Sequence, residues 1–280
     1  MSPSTPLGTS YAALAALAVT ILAMAAPVDA QTPGPGRGRG AAPPKSQAAP
    51  RHPDGRVNLG PPSGGKGFWG GGGTILAGRG GLPGTPTVDQ VPFQPWSRSL
   101  YDVRLKVGDQ DDPHARCTPP GGPRQFQTPN GFEIIEQPEL KRILIVFGGG
   151  PRSWRLIHMD GRPLPKLDDA DLIPTFFGYS TGRWEKDTLV VESTGYNEQF
   201  WMHRGGIPHT DALHLTERFS RPDYDTLRYE VTVTDPKAYT RPWSGGFTVP
   251  WTYTNWDGTP GGEIHEYFCQ ENERDAESLR

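Results

Sequence analysis

Two glutamates and one histidine cluster are the residues here whose setting points to chemistry. Side chains on a strand alternate between faces. In 213–219, Leu213, Leu215, Glu217 and Phe219 fall on one face, and His214, Thr216 and Arg218 on the other. In 264–268, Ile264, Glu266 and Phe268 share a face. A carboxylate in an apolar row must be paired, hydrogen-bonded or protonated. Paired, with Arg241 or Arg183 as the cation, it is a structural salt bridge. Protonated, Glu217 or Glu266 is a general acid or base, with His209 as its partner and Arg218 or Arg241 stabilising developing negative charge. A bulge would shift the register and reassign both faces.

His203, His209 and His214, with Asp211, bring three imidazoles and a carboxylate into one short segment. Such groups bind transition metals. Their spacing follows no established ligand pattern and there is no HExxH, so no metal is assigned. His209 follows Pro208 in a loop, where it either serves function without a metal or holds Asp211 or backbone groups. The chain has 8 Trp. Aromatic faces beside polar groups suit sugars and planar aromatics, and they also suit ordinary packing. Trp243, Tyr239 and Arg241, joined by Arg218 and Trp184, form the expected ligand contacts. There is no G-x-S-x-G, Walker loop or dinucleotide fingerprint, so no cofactor is implied.

The composition limits what can position these residues. With 36 Gly and 31 Pro in 280 residues, both helix breakers are far above ordinary usage. That excludes a helical bundle. A net charge of −3 gives no basic footprint for nucleic acid. Ala12 to Ala26 is an apolar run with signal-peptide character, and Val28-Asp29-Ala30 offers small residues for cleavage after Ala30. The n-region carries no Lys or Arg. Residues 1–30 are therefore expected to be a signal peptide, leaving no stable membrane insertion after cleavage. Residues 31–90, dense in Gly and Pro, read as a disordered basic linker. Within it, Trp69 with Thr74-Ile75-Leu76 has the apolar side chains to dock. Residues 91–273 read as the folded domain and 274–280 as a tail. An oxidising compartment permits a Cys117–Cys269 disulfide.

Trp96, Leu100, Val103 and Val107 share one helical face, which predicts a helix over 95–106. Strands are predicted at 132–136, 142–147, 154–158, 177–184, 187–196, 212–219, 226–234, 247–255 and 264–269. Short strands with turn signals between them predict an all-β fold. The expected form is an antiparallel up-and-down β-barrel, lipocalin-like, or a small sandwich, with one short N-terminal helix. The mouth or lumen of such a barrel holds a small ligand.

PTFFGYSTGRWEKDTLVVESTGYNEQFW (174–201), PHTDALHLTERFSR (208–221), VTDPKAYTRPW (233–243) and EYFCQEN (266–272) resemble a large family of exported bacterial proteins of uncharacterised function. VPFQPWSRSLY (91–101) and DDPHARCTPPGGPR (111–124) also match its pattern. Lys186 stands where that family usually has Gly. The resemblance implies an exported β-rich domain and carries no activity. The expectation from sequence is thus an exported β-barrel that binds a small molecule, a sugar derivative or aromatic compound. The alternatives are a periplasmic lyase or hydrolase using Glu217, Glu266 and His209, and an envelope interaction protein.

Overall fold

A computed structural model of the chain describes residues 47–78, 80–150, 153–255 and 258–265, all within one compact unit that begins at Lys45. The expected signal peptide, Glu266, Cys269 and the expected C-terminal tail lie outside the described residues. The fold is mostly β: nine strands hydrogen-bonded in a closed ring. They are β1 (Phe68–Trp69), β2 (Phe132–Gln137), β3 (Arg142–Phe147), β4 (Trp154–His158), β5 (Tyr179–Glu185), β6 (Thr188–Thr194), β7 (His214–Ser220), β8 (Thr226–Thr234) and β9 (Trp243–Thr252). One α-helix, α1 (Pro95–Val107), packs outside the ring order, with Pro95 in its first turn and Gly108 as its C-cap. Among the described residues no helix is long and apolar enough to cross a membrane.

The expected antiparallel course holds for every neighbouring pair but one. β4 and β5 run parallel and pair only at Ile157↔Ser180 and His158↔Thr181. A parallel pair needs a long crossover instead of a hairpin, and residues 159–178 supply it. That span carries Pro163, Pro165 and Pro174, which spoil any intervening strand. The up-and-down topology is corrected at this seam.

Residues 47–78 and 80–90 do not form a free linker. β1 closes the ring, pairing with β2 on one side and β9 on the other; of the strand expected at 264–269, residues 266–269 lie outside the described residues. Ile264 and His265 are not in a strand. Val57, Leu59, Phe68, Trp69 and Ile75 are buried. The glycines, read as entropy, are instead close approaches. A Cβ on Gly72 would run into the Phe247 ring, and one on Gly245 into the Ile75 carbonyl oxygen. Arg221 then locks the segment. Its guanidinium lies 4.7 Å from the Trp69 ring centre and 4.6 Å from that of Trp251. It donates to the carbonyls of Asn58 at 3.0 Å, Gly60 at 2.8 Å and Tyr224 at 2.7 Å. The Trp69 indole N–H donates to the Leu59 carbonyl at 2.6 Å. Burial lowers the Arg221 pKa to about 10, so it stays charged at neutral pH.

The interior is filled. Phe126, on the 3₁₀ turn Gly122–Gln127, touches rings from four strands. Ring centres lie at 5.0 Å for Phe132, 5.4 Å for Phe147, 5.4 Å for Phe219 and 5.0 Å for Tyr229. These residues belong to β2, β3, β7 and β8, so one side chain spans the enclosed space. The ligand lumen expected of a lipocalin-like cup is replaced by packed aromatics. α1 matches the expected 95–106 to one residue. The β5–β6 hairpin turns through Lys186 at φ 55°, the left-handed region in which a side chain costs about 1 kcal/mol relative to Gly.

Trp69→Ala tests the ring closure. A linker residue would tolerate it. Here it should cost about 3–5 kcal/mol in urea denaturation, and hydrogen exchange at 57–76 should accelerate.

Candidate functional site

Glu217 is fully buried inside the ring, and its cation is Arg155 of β4, not Arg241 or Arg183. Arg155 Nη1 donates to Glu217 Oε1 at 2.9 Å, and Nη2 donates to Oε2. Arg155 Nε donates to Ser180 Oγ at 3.0 Å and Nη2 to Ser193 Oγ at 3.1 Å. The Tyr229 hydroxyl donates to Glu217 Oε1 at 2.9 Å. Ser193 and Tyr196 share a 2.6 Å hydrogen bond. Each carboxylate oxygen has partners, and the arginine reaches from β4 across β5 and β6 to β7. The arrangement is a structural ion pair whose carboxylate is fully satisfied within the ring. Arg183 is exposed and pairs with Glu185, and Arg241 is exposed.

His209 is built into the fold elsewhere. Its Nε2 lies 3.1 Å from the Phe200 carbonyl and its Nδ1 3.3 Å from that of Thr210. The Phe200 ring covers it at 4.1 Å. Asp235 accepts from the Thr210 amide at 2.6 Å and its hydroxyl at 2.8 Å, fixing the loop. His209 and Glu217 share no partner, so the acid–base pair expected from sequence is not assembled. Of the other histidines, His203 Nδ1 accepts from the Gly205 amide at 2.9 Å, and His214 Nε2 lies 3.2 Å from Glu192. The three take separate partners. Among the described residues no group of three or more His, Cys, Asp or Glu is placed to hold a metal.

The expected ligand mouth is also dispersed. Tyr239 is buried and donates its hydroxyl to the Pro208 carbonyl at 2.5 Å. Trp243 is buried edge-on against Tyr239 at 5.6 Å. Arg218 lies on the outer face, 3.0 Å from Glu185. Trp184 carries the Arg56 guanidinium 5.3 Å from its ring centre. Cys117 is disulfide-bonded, while Cys269, the other cysteine of the chain, lies outside the described residues.

What the structure assembles instead centres on Trp154, at the start of β4. Arg155 points inward, so Trp154 points outward, and it is 57 % exposed. It borders two grooves. One, of about 370 Å³, occupies the divergence of β4 and β5 and is lined by Trp154, His158, Phe176, Phe177 and Tyr179, with Arg155 contributing. His158 and Tyr179 stack there at 4.9 Å. Burial lowers the His158 pKa and Arg162 adds to it. The other, of about 700 Å³, is lined by Trp154, Leu144, Val146, Glu133, Glu263 and Ile264. Burial pushes the Glu133 carboxyl up, and the neighbouring Glu263 adds to the shift.

Sequence reasoning missed Trp154 and Glu133. Alternation in WRLIH held the signal for Trp154: Arg155 and Ile157 share a face, which leaves the indole on the other. Glu133 gave none, because an outward carboxylate on a strand is ordinary. The chain matches no family model, no curated protein and no solved structure.

Two predictions follow from the buried groups. Glu217→Gln leaves Arg155 charged and unpaired and should cost about 3–5 kcal/mol. Arg155→Met with Glu217→Leu should recover most of that loss, measured as a double-mutant cycle in denaturant. For His209, burial lowers the pKa from 6.5 to about 4. The unfolded chain takes up a proton near about pH 6.5 that the folded state refuses until about 4. Stability should therefore be full above that range and fall by about 3 kcal/mol as pH drops through it. His209→Gln should remove one proton from the slope.

Proposed function

We propose that the protein is an exported binding protein for a small ring-bearing molecule, a sugar derivative or an aromatic compound, held on the outer face at Trp154. The observation that carries this is the exposed indole of Trp154 bordering two grooves. Exposed aromatic platforms stack on sugar and aromatic rings, with nearby polar groups fixing orientation. Both groove volumes lie in the range of small-molecule sites, about 300–1,000 Å³. The seam suits the role, because its two-residue pairing leaves backbone and aromatic side chains facing the groove. Export is supported by the apolar leader and by Cys117 being in a disulfide, which persists in oxidising compartments. The ring itself is best read as a small, filled barrel serving as scaffold. A filled interior also fits an interaction protein, but the closed ring leaves no long free edge among the described strands.

A thermal-shift screen of monosaccharides, amino sugars and aromatic acids and amines, followed by isothermal titration, tests the reading. Trp154→Ala should weaken any hit at least about tenfold while changing stability by less than about 0.5 kcal/mol, as expected at an exposed site. Hits whose affinity ignores the substitution would place the ligand elsewhere.

A further inference from the structure

Resting on that reading, we propose that the ligand is an organic ammonium: an amine carried on an apolar or ring-bearing arm, seated in the larger groove with its charge at Glu133.

Glu133 lies on the outer face of β2, between inward-facing Phe132 and Ile134. It is half-buried, yet among the described residues it makes no hydrogen bond or ion pair. Its cross-strand neighbour on β3 is Val146, and Val146 in turn pairs with Trp154. The carboxylate therefore stands in an apolar wall of Leu144, Val146 and Trp154. A partly desolvated carboxylate with no cation is costly unless something neutralises it. The second carboxylate of the groove, Glu263, makes the demand for a cation greater. Among the described residues Glu263 has only a loose exposed contact, with Lys66 Nζ at 3.9 Å. His265 is occupied, with Nε2 3.0 Å from Asn255 Nδ2 and Nδ1 3.5 Å from Thr259 Oγ1.

A separate observation points to a missing donor. Gln125 is fully buried and gives its Nε2 hydrogen to the Gly149 carbonyl at 2.7 Å, but its Oε1 has no partner. Gly150 lines the groove, and a Cβ placed on it would come within 3.8 Å of that oxygen and 2.9 Å of Ser153 Oγ. Ser153 Oγ and Pro120 leave no room for a side chain at Gly150, so this acceptor lies directly behind the groove wall. Orphan buried acceptors are rare, and each calls for a donor. The two carboxylates of the groove are acceptors, and neither has a close cation among the described residues, which selects a ligand that carries N–H. The apolar wall of Leu144, Val146 and Trp154 suits an organic cation. The exposed face of Trp154 supplies a surface on which an ammonium is attracted.

The test uses two isosteric pairs, phenethylamine with phenethyl alcohol and glucosamine with glucose, titrated calorimetrically into the full chain. The amine of at least one pair should bind about tenfold more tightly than its alcohol. Glu133→Gln should abolish that preference and leave the alcohol's affinity unchanged. Its melting temperature should hold or rise, since an unpaired, partly buried charge is removed, so lost binding is not lost folding. Glu263→Gln should give an intermediate loss. If amine and alcohol bind equally, with affinity still dependent on Trp154, the ammonium proposal falls and the Trp154 site stands. If neither amine binds and the melting temperature does not move, both fall.

Discussion

The ring is thinly paired where β4 meets β5, and one guanidinium holds it there. A parallel pair with two residues in register contributes little ladder. Arg155 compensates from inside, leaving β4 to bind Ser180 on β5, Ser193 on β6 and Glu217 on β7. In the low dielectric of a filled core, such a network is rigid only because every member is satisfied. That rigidity fixes the pleat of β4, and the pleat decides that Trp154 faces solvent. The seam can diverge beyond Ile157 and open a groove without the ring coming apart.

Closure at the opposite side follows the same logic with different chemistry. β1 is two residues long and could not hold a place in a sheet by backbone pairing alone. Among the described residues Arg221 has no carboxylate partner. It is stabilised by the faces of Trp69 and Trp251 and by three carbonyl oxygens, two of them on the incoming segment. A cation without a counter-ion can be buried when rings and carbonyl dipoles surround it. The N-terminal segment is thus bound by what the ring offers it.

This explains which parts of the structure were legible beforehand. Helix α1 and β2 to β8 lie close to their expected ranges, because local periodicity is a local property. The inward position of Glu217 followed from alternation in LHLTERF. Its partner did not, since Arg155 sits in a strand far away in sequence and pairing is set by the closed ring. The segment 47–90 was misread because glycine has two meanings. It loosens a free chain, and it also lets backbone approach backbone, as at Gly72 and Gly245. Composition cannot separate these. Trp69 and Ile75 within the segment were the clue, since buried apolar side chains need a surface to bury against. His209 looked reactive for the reason it is inert: a loop histidine near a carboxylate also makes a good structural plug.

The two glutamates that matter most illustrate how burial distinguishes structure from function. Glu217 has two oxygens, a bidentate arginine, a serine and a tyrosine, all buried in the core. Its environment is complete, so it has nothing left to offer a ligand. Glu133 is less buried but its side chain has no partner among the described residues, and its surroundings are Leu144, Val146, Trp154 and a second carboxylate. A fold that provides a cation for the deep carboxylate could have placed a lysine or arginine beside the shallow one at little cost, as it did for Glu185 with Arg183 and Arg218. Leaving that place open on an exposed aromatic face makes electrostatic sense when the cation arrives from solution.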